Sequence, residues 1–128
     1  MAEPKPVEAA RNRRLQGRFV LDGRAAPALL KFCYPPQRGV PLEARVRDIS
    51  LSGISMVLPE ELPGLRVGDI LPHIEAIVAG QSFLVDLLVM HVTPGNEAGA
   101  ACGGLIYPER DEDLLMIRRI IRSLESCD

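Results

Sequence analysis

The chain has 128 residues, 47% of them apolar and only five aromatic, with 15 Lys+Arg against 17 Asp+Glu. A single domain of this size buries enough surface to hold together without a metal or disulfide staple, and a net charge of −2 excludes a general polyanion binder. The total hides a split: the first 24 residues carry a local +3, all of the excess arginine, and the remaining 104 a local −5.

Residues 1–12 are rich in Pro, Ala and Glu and read as a flexible lead-in, with too little apolar surface to order itself. The opening MAEPKPVEAARNRR lacks the apolar stretch of a signal peptide. Residues 13–24 form a basic arm in which Leu15, Phe19, Val20 and Leu21 are the anchorable side chains. From Pro27 the texture changes to short apolar runs punctuated by Pro and Gly. The pattern predicts strands over 28–34, 42–49, 54–58, 70–78, 82–93 and 101–107, with turns at Ser50–Gly53 and Ala79-Gly80. Within 70–92, the most apolar stretch, Pro72, His73, Glu75, Gly80, Gln81 and Asp86 break any membrane span. Strands at regular spacing, with no helical period between them, predict an all-β fold: an antiparallel sheet closed into a small barrel or sandwich over 27–107.

The period then changes. Leu114, Ile117, Ile121 and Leu124 recur at helical spacing, with Leu115 and Ile120 widening the stripe, so 111–126 predicts a C-terminal amphipathic helix. Asp111, Glu112 and Asp113 fall in its first turn and Arg118, Arg119 and Arg122 further on, as the helix dipole prefers. The stripe either covers an open end or face of the barrel or, as a short heptad seam, meets a partner; two heptads are marginal alone and favour the first.

Two short motifs carry chemistry. Arg14-x-x-x-Arg18, preceded by Arg13, puts two guanidinium groups on one face whether the segment is helical or extended, and Gly17 lets the chain bend toward a ligand. Guanidinium forks suit phosphates and purine edges, and their flat faces stack on bases. Asp48-x-Ser50-x-x-Gly53 lies where a strand runs into a turn. It reads either as a turn cap or as a carboxylate acceptor beside a hydroxyl, with Gly53 allowing close approach.

In that order, on a β-rich domain with a terminal helix, the two motifs resemble those of the PilZ domain, the receptor module for the bacterial second messenger cyclic di-GMP (c-di-GMP). The resemblance covers residues 13 to about 126, with both motifs intact, and implies a six-stranded antiparallel barrel flanked by a helix within a domain over 13–128. It implies that Arg14 and Arg18 clamp guanine and phosphate groups, that Asp48, Ser50 and Gly53 contact the ligand's other side, and that arginine at Arg13 accompanies two intercalated ligands per chain. The chain departs from the family's larger motility regulators, which place another domain ahead of this one: only twelve residues precede Arg13, so a stand-alone adaptor is expected, a monomer or weak dimer acting on an unidentified protein effector. The alternative is a PilZ-like module that binds a protein without nucleotide through Leu114, Ile117, Ile121 and Leu124 or through the barrel face.

The remaining polar residues point elsewhere than catalysis. His73 and His91 each lack a neighbour at metal-ligand spacing, so no metal or cofactor is expected beyond the ligand. Asp86 interrupts an apolar strand and either faces solvent or pairs with an arginine. Ser50 and Ser52 sit in no nucleophile elbow, and no phosphate loop or metal cluster supports an enzyme. Binding of DNA or RNA is not expected, because a small barrel that takes single strands needs exposed stacking aromatics and the basic segment holds only Phe19. Cys33, Cys102 and Cys127, odd in number and without CxxC spacing, suit free thiols in a reducing, cytoplasmic compartment.

Overall fold

Strands form where apolar and polar side chains alternate, and the alternation sets which face of each strand turns inward. In the computed structural model, which describes residues 17–21, 28–36, 39–60, 62–93, 95 and 100–127, seven strands and one helix follow in order. They are β1 (Phe19–Val20), β2 (Leu29–Cys33), β3 (Pro41–Ile49), β4 (Gly53–Leu58), β5 (Ile70–Val78), β6 (Gln81–Thr93), β7 (Ala100–Pro108) and α1 (Asp111–Cys127). The lead-in 1–12, Arg13 and Arg14 lie outside the described residues.

All pairings are antiparallel, in the order β1-β3-β2-β5-β6-β7-β4, and β4 pairs back on β3. Six strands therefore close into a barrel, as the sequence pattern predicts. The seventh, β1, escapes that pattern: its two residues take up the end of β3 beyond the reach of β2, with Phe19 opposite Ile49 and Val20 opposite Asp48. Phe19 and Leu21 are buried in the core, so the basic segment becomes part of the barrel immediately after Arg18. A buried Phe19 also cannot stack on a nucleobase.

The inward faces follow the alternation. Leu30 and Phe32 of β2 are buried while Lys31 and Cys33 are exposed, and Phe83, Val85, Leu87 and Val89 of β6 form one inward row. Ala79 and Gly80, both at positive φ, make the two-residue turn between β5 and β6, whose backbone twist matches the paired strands. A bulge in β5 accommodates Pro72, which cannot donate to a ladder, and His73, at φ 56°. Asp86, opposite the bulge, caps it: its Oδ1 accepts the His73 backbone N–H at 3.0 Å.

Helix α1 packs across β6 and β7 with Ile117, Ile120, Ile121 and Leu124 buried, while Leu115 is exposed. The apolar stripe is thus spent on the barrel, and the partner seam through Ile117, Ile121 and Leu124 is not a free surface. No basic residue lies in the last turn, because the helix runs on to Cys127; Arg118, Arg119 and Arg122 stop short of where the dipole would reward them. No helix among the described residues is long and apolar enough to cross a membrane. Cys33 and Cys102 are free thiols, and burial pushes the Cys102 thiol up to about 11.

Asp113 ties the helix to the barrel. Its buried carboxylate accepts the Arg110 backbone N–H at 3.1 Å, closing the first turn, the Arg110 side chain at 2.8 and 3.0 Å, and the Leu84 N–H of β6 at 3.0 Å. The Arg110 hydrogen bonds hold this carboxyl below its ordinary value of 3.8 against the opposing effect of burial, and the Leu84 N–H adds to the depression. A depressed carboxyl contributes stability that is present above its unfolded value and lost as pH falls through the folded one. Asp113→Asn should therefore destabilise the domain by about 1–2 kcal/mol at neutral pH. In urea unfolding, the gap between variant and parent should close as pH falls below about 4; a gap independent of pH would contradict this role.

Candidate functional site

Arg18 enters the site because β1 pins the residue that follows it. Phe19 pairs with Ile49, and the Leu21 N–H donates to the Arg47 carbonyl at 2.8 Å, so the chain leaves Arg18 beside the end of β3. On β3 a bulge falls between Val46 and Asp48, making Arg47 the extra residue and turning Asp48 outward. The two meet: Arg18 Nη1 donates to Asp48 Oδ1 at 2.6 Å, joining positions 30 apart in sequence. The side chains are 37% and 16% exposed, respectively. Arg47 Nε lies 3.7 Å from the other carboxylate oxygen.

Ser50 and Gly53 build the turn that carries the site. The Ser50 hydroxyl accepts the Gly53 N–H at 3.0 Å and the Ser52 N–H at 3.3 Å, and donates to the Gly53 carbonyl at 3.4 Å, while the Ser50 N–H donates to that same carbonyl at 2.9 Å. Buried and fully engaged, Ser50 holds the turn and offers nothing outward. The turn in turn docks on β7, where the Ile106 N–H donates to the Ser52 carbonyl at 2.9 Å. Gly53 is required by space: a Cβ there would stand 2.8 Å from the Gly104 carbonyl oxygen and 3.4 Å from Arg18 Nη2. The absence of a side chain at Gly53 lets the Arg18 guanidinium lie close against it.

Four of the predicted residues, Arg18, Asp48, Ser50 and Gly53, thus come together as one corner at the outer end of β3, Arg18 and Asp48 half-buried and Ser50 and Gly53 buried. A groove of about 520 Å³, lined by Lys31, Cys33, Glu43 and His73 among others, shares none of these residues. Chemically the corner offers a guanidinium whose hydrogen bond among the described residues goes to Asp48, and a carboxylate that accepts only.

A second group escapes sequence reasoning. The β5 bulge brings His73 to Asp86 and Glu109, with ligating atoms within 4.8 Å of one another, and these are the residues among those described that could hold a metal ion. Their present bonds are protein bonds: His73 Nδ1 lies 2.9 Å from Glu109 Oε2, and Asp86 takes the His73 N–H. Pro72 inside a strand was the available signal for the bulge, but nothing in one dimension points to Glu109, 36 positions away.

No protein-family model matches the sequence, and no curated protein matches it significantly. Solved structures do match. The MrkH–c-di-GMP complex of K. pneumonia superposes with a TM-score of 0.71 at 19% identity, over 85% of this chain and 51% of that one. The PilZ domain of YcgR from Escherichia coli, solved with c-di-GMP, gives 0.68 at 18% identity, over 85% of this chain and 88% of that domain. The fold is that of the PilZ domain. A PilZ domain of CeSA from a cellulose-synthesizing bacterium also matches, with a TM-score of 0.53 at 14% identity over 80% of this chain and 96% of that one. This chain spans about half the length of MrkH and nearly all of the isolated PilZ domains. At such identity the shared property is the PilZ fold, and the Arg18–Asp48 corner is a feature of this chain's own residues.

Proposed function

We propose that this PilZ-fold domain is a non-enzymatic receptor for c-di-GMP, which binds over the corner made by Arg18, Asp48 and Gly53. The observation that carries the reading is the 2.6 Å contact between Arg18 and Asp48, which unites two motifs that are remote in sequence. Guanine presents N1–H and N2–H donors that suit a carboxylate able only to accept, and the phosphates suit the arginine fork. Two of the structurally similar proteins were solved with this ligand.

In this reading Arg14 joins Arg18 in clamping the ligand and Arg13 admits a second, intercalated molecule. Ser50 is a positioning residue that fixes the turn. Engagement of the arginine arm by the ligand, through Arg13 and Arg14 ahead of the part of the arm that β1 already fixes on the barrel, then offers a changed surface to a protein effector in motility, biofilm or exopolysaccharide control. Calorimetric titration of the full chain is the test. Saturable c-di-GMP binding with two ligands per chain is expected, and cyclic di-AMP, which lacks the N1–H and N2–H donors, should give none. A full chain that takes up no c-di-GMP would overturn the reading.

A further inference from the structure

His73 stands where three separate stretches of chain converge. It lies in the β5 bulge, Asp86 comes from β6, and Glu109 from the link between β7 and α1. The bulge gives His73 a φ of 56°; its N–H donates to Asp86 Oδ1 at 3.0 Å, and its Nδ1 lies 2.9 Å from Glu109 Oε2. One ligating atom from each of the three residues lies within 4.8 Å of the others. No spacing in the sequence shows the group, because the two carboxylates are 13 and 36 positions from the histidine.

The group is short of positive charge. Two carboxylates converge on one imidazole, and even a protonated ring carries one charge against two. Arg110, the residue after Glu109, spends its guanidinium on Asp113 at 2.8 and 3.0 Å and reaches Glu112 at 3.5 Å. Like charges held this close repel, and a divalent cation between them removes that cost. The Glu109 side chain is 24% exposed and that of His73 82%, so the carboxylate is the enclosed end of the group and the imidazole the end open to solvent. His73 also lines the groove of about 520 Å³, which gives an ion its approach.

We propose that His73, Asp86 and Glu109 form a Zn²⁺ site, with the imidazole and the two carboxylates as its three protein ligands. Imidazole nitrogen together with carboxylate oxygen suits zinc, whereas Mg²⁺ and Ca²⁺ take oxygen ligands. Ligands of one zinc ion, each about 2.0–2.2 Å from it, stand roughly 3.4 Å apart in a tetrahedral shell. The spacing here, 2.9 Å at one pair and no more than 4.8 Å at any, brackets that value, so modest side-chain rotations suffice. Three protein ligands leave the fourth position to water. Because they come from the β5 bulge, β6 and the link into α1, the ion ties those stretches together and stabilises the folded chain by mass action. The site shares no residue with the Arg18–Asp48 corner and does not depend on the receptor reading.

The experiment titrates ZnCl₂ calorimetrically into the untagged full chain, with melting temperatures measured in parallel. One ion per chain is expected, and the melting temperature should rise by roughly 10 °C at a zinc concentration about a hundredfold above Kd. Glu109→Gln, Asp86→Asn and His73→Gly should each weaken Zn²⁺ binding about a hundredfold. Asp86→Asn still offers an oxygen to the His73 N–H, and glycine suits the positive φ, so both variants should remain folded. Cys33, an exposed thiol on the same groove, is the competing ligand, and Cys33→Ala should bind as the parent does. Of the chain's two histidines, His73 should shift its imidazole resonances on saturation and His91 should not. A parent chain that takes up no Zn²⁺ would overturn the proposal. So would parental affinity in Asp86→Asn and Glu109→Gln, or loss of binding in Cys33→Ala.

Discussion

Replacing Arg18 with alanine should weaken c-di-GMP binding roughly a hundredfold while changing the unfolding free energy by only about 1 kcal/mol. The two effects separate because Arg18 does different things in the two states. In the free protein it contributes one partly exposed ion pair to Asp48, and pairs of that kind are screened and weak. Toward the ligand it would contribute the rest of its fork, two charge-assisted hydrogen bonds of about 1.5–3 kcal/mol each, reduced by the cost of redirecting the side chain. Arg18→Lys keeps the charge without the fork and should fall between the two. Asp48→Ala removes both a guanine acceptor and the group that aims Arg18, so a double-mutant cycle between the two positions should show a loss smaller than the sum of the single losses. Additive losses would mean that the 2.6 Å contact does nothing to prepare the site, and an Arg18→Ala variant with parental affinity would remove Arg18 from it.

How much of this was legible in the sequence depended on whether the signal was local. Lys31 between Leu30 and Phe32, the Ala79-Gly80 turn and the spacing of Ile117, Ile121 and Leu124 each announce their own element within a few residues, and those elements stand where the pattern puts them. Strand β1 was invisible because two residues hold no period, and because Phe19 and Val20 sit in a segment whose charges suggest solvent. The Asp48–Ser50–Gly53 turn was legible as a motif, but the division of labour inside it was not: Ser50 spends its hydroxyl on the Gly53 and Ser52 amides, which leaves Asp48 as the outward-facing group. That Asp48, Ser55, Gly103 and His91 lie abreast on β3, β4, β7 and β6 was out of reach altogether. They do so only because the β3–β4, β4–β7 and β6–β7 registers, two of them shifted by bulges, bring those positions level. Likewise Asp86, ambiguous in one dimension, acquires its role only once the β5 bulge delivers the His73 amide.

A bulge in β6 makes Gly104 the least tolerant of a methyl group among the glycines at positions 17, 39, 53, 64, 68, 80, 103 and 104. Pairing jumps from Val89 opposite Gly104 to His91 opposite Gly103, which leaves Met90 unpaired and pushes the β6 backbone against β7. A Cβ on Gly104 would lie 1.9 Å from the Leu88 carbonyl oxygen and 2.8 Å from the Met90 nitrogen, and neither can rotate away because both are main chain. Gly104→Ala should therefore cost about 3 kcal/mol and lower the melting temperature by roughly 10 °C, since relief requires parting two paired strands. Gly103→Ala, one residue earlier, presses chiefly on the His91 ring and the Ser55 side chain, and the ring is free to swing toward solvent; its loss should be distinctly smaller. Equal melting temperatures for the two variants would show that β6 and β7 do not approach as closely as the register demands. Because β7 also backs the binding corner, with Leu105 opposite Gly53 and the Ile106 N–H bonded to Ser52, parting it from β6 should also weaken c-di-GMP binding by the Gly104→Ala molecules that remain folded.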